Sequence, residues 1–218
     1  MEQQVALITG VTGMDGSHLA DLLLDSGYQV IGLKRRTSTE NTWRIDHLRG
    51  NSNFSIIEGD ITDYYCMFSI IDKYKPDFIY NTAAQSHVAT SFTQPQLTWD
   101  ITGQGAMNVL QACVDAARRS RLYHPRFLQC SSSEMFGSNY NVEVYKDCVQ
   151  FSDKIISENM LGANKHRKYQ DETTALAPNS PYGIAKLAAH QYTRLCREAY
   201  GTFACSSICF NHSGERRT

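Results

Sequence analysis

Short apolar runs rich in β-branched residues alternate with helical periodicity along this chain, and that alternation restricts the fold more than any other feature. Val5–Thr9 reads as a first strand. Helical spacing follows through Leu19, Leu22 and Leu23 to Ser26, where Gly27 suits a helix C-terminus. Residues 29–33 and 54–58 read as the second and third strands. A helix near 64–74 is stopped by Pro76, and 78–81 is a fourth strand. Pro95 opens a long helix carrying Val109, Leu110, Cys113 and Ala117. Residues 127–131, 182–200 and 203–210 complete the series as strand, helix and strand. Parallel strands need crossovers, and right-handed crossovers predict an α/β fold with a doubly wound, Rossmann-like parallel sheet.

One stretch departs from the rhythm. Residues 138–172 are polar, include the basic run Lys165, His166, Arg167, Lys168, and show no clear strand. They read as a surface excursion with a helix near 151–160.

Gly10, Gly13 and Gly16 stand at G-x-x-G-x-x-G spacing directly after the first strand, in Gly10-Val11-Thr12-Gly13-Met14-Asp15-Gly16. Such glycines serve a plain turn. At the first βα turn of a doubly wound sheet they also permit a tight turn, close approach of backbone to a pyrophosphate, and tight helix–strand packing. The helix that follows aims free amides and its positive dipole end at the phosphates. The loop therefore predicts a dinucleotide site.

Charge selects among dinucleotides. An acid at the end of the second strand holds the ribose hydroxyls of NAD. Here that place reads Lys34-Arg35-Arg36, with guanidinium groups suited to a phosphate and no carboxylate beside them. The run favours NADP over NAD, the alternative being a solvated basic turn. Asp60 and Ile61, after the third strand, are placed to contact an adenine, although Asp60 serves equally as a helix N-cap.

Tyr182 and Lys186 stand four apart near a helix start, which puts phenol and ammonium on one face. A neighbouring cation favours phenolate, so the spacing predicts that Lys186 depresses the Tyr182 pKa and makes it a proton acceptor. The same spacing also describes a surface pair. The fifth strand ends in Ser131-Ser132-Ser133-Glu134. Ligands of open α/β sheets bind beyond the carboxyl ends of strands, so Ser132 and Glu134 are expected in the same crevice. There a hydroxyl holds a substrate oxygen and a carboxylate removes a carbon-bound proton. Turn and capping chemistry is the other use of such serines.

A formal net charge of -1 gives no global attraction to nucleic acid or an anionic membrane. The seven cysteines form no CxxC pair and read as reduced thiols. The histidines show no ligand-spaced pair, so no metal site is expected. The N-terminus lacks a signal layout and no apolar run spans a bilayer, which makes a cytosolic location the default.

These residues resemble the extended short-chain dehydrogenase/reductase superfamily and, within it, the GDP-mannose 4,6-dehydratase family. The likeness runs through the glycine loop, Lys34-Arg35-Arg36 and Asn41-Thr42-Trp43-Arg44-Ile45-Asp46-His47-Leu48. It continues through Asn81-Thr82-Ala83-Ala84-Gln85-Ser86-His87-Val88, Ser132-Ser133-Glu134-Met135-Phe136-Gly137 and Ser180-Pro181-Tyr182-Gly183 with Lys186. It ends with Arg197-Glu198-Ala199-Tyr200-Gly201 and Phe210-Asn211-His212.

The resemblance implies that Tyr182 deprotonates the mannose C4 hydroxyl and NADP takes the C4 hydride. Glu134 then removes the C5 proton, water leaves from C6, and the hydride returns there. GDP-mannose becomes GDP-4-keto-6-deoxymannose, on the way to GDP-fucose. Ser132 bonds the substrate, and Lys186 holds the nicotinamide ribose. Cofactor contacts map onto Thr82, Ala83, Ala84, Gln85, Ser86, His212 and Arg217, and substrate contacts onto Ser86 and Asn211. A homo-oligomer, dimer or tetramer, is implied.

Three departures stand out. Residues 138–172 exceed the family's usual link, Leu97 replaces a common aromatic cofactor contact, and Ser213, Gly214, Glu215 and Thr218 differ from the usual run that includes Asn211, His212, Arg216 and Arg217. The expectation is one NADP-binding domain over 1–218, with the family's C-terminal substrate lobe missing or truncated. Cofactor binding without turnover is expected of such a chain. Two rival readings stay open: another sugar-nucleotide epimerase or reductase, and a non-catalytic NADP-binding module.

Overall fold

The computed structural model describes residues 3–144 and 166–217. Six parallel strands form one sheet: β1 (Val5–Thr9), β2 (Gln29–Lys34), β3 (Phe54–Glu58), β4 (Phe78–Asn81), β5 (Arg126–Ser132) and β8 (Phe203–Cys209). Their order is β3-β2-β1-β4-β5-β8, so the chain runs outward from β1 to one edge, returns, and builds the other half. The doubly wound parallel sheet expected from the alternation is what forms. The reversal of strand order lies between β1 and β4, where such folds open a crevice at the carboxyl ends.

Alternation along the strands divides the core into two layers. Leu7, Ile31, Ile79 and Phe127 face one side, packed with Met67 and Ile71 of α2 (Tyr64–Tyr74) and Val109 and Leu110 of α5 (Ala106–Arg119). Ala6, Ile8 and Val30 face the other, packed with Ala20 and Leu23 of α1 (Met14–Asp25) and with Ile45 and Leu48. The four strands β1 to β4 are thus apolar on both faces, the signature of a sheet covered by helices on both sides.

Helix ends follow local chemistry. The α1 helix closes at Gly27, which takes φ +85°, while the Tyr28 amide donates to the Leu23 carbonyl at 3.0 Å. Ahead of Pro76, Lys75 adopts φ 46° and closes α2. The helix α6 (Pro181–Tyr200) starts at Ser180, whose hydroxyl accepts from the Gly183 amide at 3.0 Å, with Pro181 in its first turn.

The rod predicted from Pro95 onward is continuous but not uniform. It begins as α4 (Pro95–Thr98), widens into a π-helix over Trp99–Gly105, and continues as α5. The short α3 (Val88–Thr93) precedes it. π turns recur at functional sites, and this one brings Ile101 to the crevice and the Thr102 hydroxyl within 3.0 Å of the Gln85 amide.

The excursion at 138–172 holds strands after all. β6 (Asn141–Val144) and β7 (His166–Tyr169) pair antiparallel, with Asn141 opposite Tyr169. The Asn-Val-Glu-Val alternation of β6 spans only four residues and β7 is mostly charged, so neither stands out as a strand. The helix expected near 151–160 lies outside the described residues. Among the described residues, Cys66, Cys113, Cys130, Cys196, Cys205 and Cys209 are free thiols. Among the described residues, no helix is long and apolar enough to cross a membrane.

Candidate active site

A crevice of ≈ 860 Å³ opens at the carboxyl ends of the strands, where β1 and β4 part. The glycine loop forms one wall. Gly10 takes φ +70°, and a Cβ there would lie 2.8 Å from the Ala83 backbone. A Cβ at Gly16 would lie 2.5 Å from the Gly10 carbonyl oxygen, so the first turn of α1 can close on the loop only with glycine. No side chain caps α1 at Gly13. Its first amides therefore remain available to an anion at the crevice wall.

Most residues predicted for the cofactor meet here. Gly10, Thr12, Gly13, Met14, Asp15 and Gly16 line the crevice, with Arg35, Asp60 and Ile61 farther along. Thr82, Ala83, Ala84, Gln85 and Ser86 form the opposite rim, and Asn211, His212 and Arg217 close one end. Two predicted residues do not line it. Val11 is fully buried beneath the loop, with its side chain against Gly32. Arg36 lies outside the lining while Arg35 is inside. Asp60 is not the cap of α2. That role belongs to Asp63, which accepts from the Cys66 amide at 3.1 Å, whereas Asp60 accepts from the Thr62 amide and hydroxyl.

The basic end of the crevice is larger than the sequence reading had it. Lys34, Thr37, Asn41 and Arg44 join Arg35 and Arg217 in the lining. Arg44 stacks on Trp43 at 4.3 Å and donates to the Thr12 and Arg216 carbonyls at 3.3 and 2.9 Å. A carboxylate is also near: Glu58 lies 3.9 Å from Lys34. Its oxygen pairs with the lysine, and Glu58 itself is outside the lining. Arg44 had a signal, its place ten residues after a basic strand end, but spacing alone does not show a loop folding back.

The far wall carries the proposed chemistry. Ser132 ends β5, and its hydroxyl accepts from the Glu134 amide at 3.2 Å, which fixes the short 3-10 turn Ser133–Phe136. Glu134, Tyr182 and Lys186 line the same wall. Tyr182 and Lys186 rise from successive turns of α6, with the ammonium 5.7 Å from the phenol ring centroid. The Glu134 carbonyl lies where a Cβ at position 183 would approach within 2.7 Å, so Gly183 lets α6 seat against the turn. Leu97, the residue standing where an aromatic was expected, lines the crevice as well.

Polar chemistry beneath the wall links its parts. The Thr9 hydroxyl donates to Asn81 at 2.6 Å, and Asn81 donates to Gln129 at 2.8 Å. Gln129 and Lys186 both donate to the Cys130 carbonyl oxygen, at 2.9 and 2.7 Å. Lys186 is only 4% exposed. Burial lowers its pKa, and the Cys130 and Cys209 thiols act in the opposite direction.

The Tyr182 pKa moves opposite to the direction predicted from its spacing with Lys186. Burial pushes the phenol up to about 12, the hydrogen bond with Ser132 pulls it down, and the Glu134 charge raises it. Losing water costs the phenolate more than the neutral phenol. Spacing along a helix reveals the neighbour but not the desolvation.

Residues 6–218 match the NAD dependent epimerase/dehydratase family. A GDP-mannose 4,6-dehydratase from Yersinia enterocolitica is 40% identical over 218 residues, covering 97% of this chain and 50% of that protein. GDP-mannose 4,6 dehydratase 2 of Arabidopsis thaliana is 41% identical over 225 residues, covering 99% and 52%. The Homo sapiens GDP-mannose 4,6 dehydratase is 40% identical over 222 residues, covering 99% and 52%. The chain spans about half the length of the curated relatives it matches. Among solved structures, DesIV, a dTDP-glucose 4,6-dehydratase of Streptomyces venezuelae with NAD bound, superposes with a TM-score of 0.68 at 25% identity, over 91% of this chain and 53% of that one. A Thermotoga maritima UDP-glucose 4-epimerase shares the fold, with a TM-score of 0.65 at 24% identity over 91% and 53%.

Proposed function

The chain belongs to the NAD dependent epimerase/dehydratase family, and from that membership we propose that it carries the nucleotide-binding and catalytic face of an NADP-dependent GDP-mannose 4,6-dehydratase. The crevice fits such a cofactor. Gly10, Gly13 and Gly16 leave room for a pyrophosphate against the first turn of α1. Arg35, Arg44 and Arg217 supply positive charge for a 2′-phosphate. Asp60 and Ile61 would flank the adenine, and Lys186 would hold the nicotinamide ribose. When bound, the nicotinamide accepts a hydride from mannose C4 and returns it at C6.

The protein's own residues handle the protons and the orientation. Ser132 donates to the oxygen at C4, and Tyr182 takes the proton of that hydroxyl. Positive charge from Lys186 and from the oxidised cofactor favours the phenolate, against the burial that raises it. Once C4 is a ketone, the C5 proton is acidic, and the Glu134 carboxylate removes it. Glu134, now carrying that proton, gives it to the C6 hydroxyl, which leaves as water. Ser86 and Asn211 would orient the sugar at the crevice mouth.

One observation carries this reading: Glu134 lines the crevice beside Tyr182, Ser132 and Lys186. An epimerase or reductase acting at C4 alone has no use for a second base. A non-catalytic module has no use for either. Residues 1–218 would form one nucleotide-binding domain of a cytosolic homo-oligomer, a dimer or tetramer, on the route to GDP-fucose. Trp43, half exposed beside Arg44, offers a surface for that assembly.

The test is turnover of GDP-mannose with NADP⁺, followed by mass spectrometry of the product. Loss of one water supports the dehydratase, and Glu134→Gln should lower the rate by about 10²–10⁴ with NADP⁺ affinity retained. An unchanged sugar-nucleotide mass with inverted stereochemistry would favour the epimerase. Cofactor binding without any turnover would favour the module if it persisted once the family's C-terminal substrate lobe is joined to residues 1–218.

A further inference from the structure

Two thiols on the crevice wall take no part in the chemistry above. Cys130 of β5 is in register with Ser207 of β8, and Ser132 with Cys209, so the cysteines are diagonal neighbours on one face of the sheet. Both line the crevice, close enough for each thiol to shift the other's pKa. The Ser207 hydroxyl lies 3.3 Å from the Cys209 sulfur. Cys209 is partly exposed to the crevice, while Cys113 and Cys196 are buried in the core.

The charges around this pair are mixed in origin but mostly positive toward Cys209. Lys186 faces it from α6 and His212 from the segment after β8. Asp15 of α1 acts on Cys130, and the neutral phenol of Tyr182 stands on the same wall. The neighbouring Cys130 thiol comes first among the causes holding the Cys209 thiol well below the ordinary thiol range, with Ser207, His212 and Lys186 adding to it against burial. Cys130, which keeps its proton, is pushed up.

We propose that Cys209 is a modification site for small peroxides, and that its oxidation to a sulfenic acid closes the crevice to the dinucleotide. The second half rests on the cofactor reading given above; the first does not. The Cys209 thiolate sulfur attacks one peroxide oxygen, so an S–O bond forms as the O–O bond breaks. Sulfur is oxidised by two electrons and the peroxide is reduced. The hydroxide leaves to bulk solvent, where buffer acid neutralises it to water. The added oxygen projects from the wall that carries Lys186, into space the cofactor would need.

The chain is treated with hydrogen peroxide and dimedone, and each cysteine peptide is quantified by mass spectrometry. Iodoacetamide labelling is followed in parallel from pH 6.5 to 8.5. Cys209 should trap dimedone about tenfold faster than Cys205, which is exposed. Its alkylation rate should stay nearly level across that range, where an ordinary thiol climbs about fiftyfold. Cys130→Ala should restore the climb. Peroxide should abolish NADP⁺ binding, dithiothreitol should restore it, and Cys209→Ser should resist. Equal trapping at Cys205 and Cys209, or a fiftyfold climb at Cys209, overturns the site. Selective oxidation with undiminished NADP⁺ affinity overturns the closure alone. Failure of the untreated chain to bind NADP⁺ overturns the cofactor reading and the closure together, leaving the residue-by-residue trapping to decide the site.

Discussion

Gln129 and Lys186 meet at a single acceptor, the Cys130 carbonyl oxygen, which lies 2.9 Å from one donor and 2.7 Å from the other. Asn81 and Thr9 stand behind Gln129 in the same buried chain, so the strand bearing the glycine loop is coupled by hydrogen bonds to the lysine on α6. Gln129→Met keeps the volume and breaks the chain, leaving the Asn81 side-chain amide without its acceptor. A buried donor stripped of its partner costs about 1–3 kcal/mol. The denaturant midpoint should fall accordingly, with the slope unchanged. An unaltered midpoint would show that the chain contributes no stability.

Tyr182 should make the protein sensitive to alkali. Its folded pKa of about 12 lies above the unfolded value near 10, so the folded state keeps a proton that the unfolded state releases. Stability from this group is intact below pH 10 and declines as the pH rises toward 12, by at most ~1.4 kcal/mol per pH unit. Tyr64 and Tyr192 are raised to about 12 as well, so the comparison must be with Tyr182→Phe. The variant's stability should fall less steeply above pH 10 than the parent's. Parallel curves would mean the phenol is not desolvated as its burial requires.

How much of this was readable beforehand follows from what each feature depends on. Gln29–Lys34 packs apolar side chains on both faces and Arg126–Ser132 buries Phe127, so 29–33 and 127–131 stood out as strands within a residue of those bounds. Asn141–Val144 and His166–Tyr169 are four residues each and pair across a long sequence separation, so the brief Val142, Val144 alternation is too short to mark them. Glycine spacing placed the loop, but the loop's curl, which turns Val11 inward beneath Gly32, belongs to three-dimensional packing. The Tyr182–Lys186 spacing located the pair and misjudged the phenol, because burial is a property of the wall that Ser132 and Glu134 complete.

Arg35 and Arg36 are adjacent in sequence yet only Arg35 lines the crevice, which separates their roles. Arg35→Ala should weaken NADP⁺ binding by about 10- to 150-fold, the loss of a hydrogen bond to a charged group worth ~1.5–3 kcal/mol. NAD⁺, lacking the 2′-phosphate, should bind the variant and the parent alike. Arg36→Ala should change neither affinity beyond the general loss of one surface charge. Fluorescence titration with both nucleotides decides it. Equal losses for NADP⁺ and NAD⁺ in Arg35→Ala would remove the arginine from 2′-phosphate recognition.

His212 ties the segment after β8 to the glycine loop through a 2.8 Å contact with Asp15. Its other ring nitrogen lies 2.7 Å from the Phe210 carbonyl. Carbonyl and carboxylate oxygens both accept, so the imidazolium form, with two donors, is the one that satisfies both contacts. The His212 pKa is accordingly raised, first by the Phe210 hydrogen bond and then by Asp15. A raised histidine contributes stability that is complete below its unfolded value near 6.5 and is lost as the pH rises through the folded value. Both side chains are 50% exposed, so screening holds the contribution below ~1 kcal/mol. Asp15→Asn should therefore melt below the parent at pH 5.5, by a margin that narrows as the pH rises toward 9 and shrinks in high salt. A margin that stays constant across that range would mean the pair stabilises nothing through its charge.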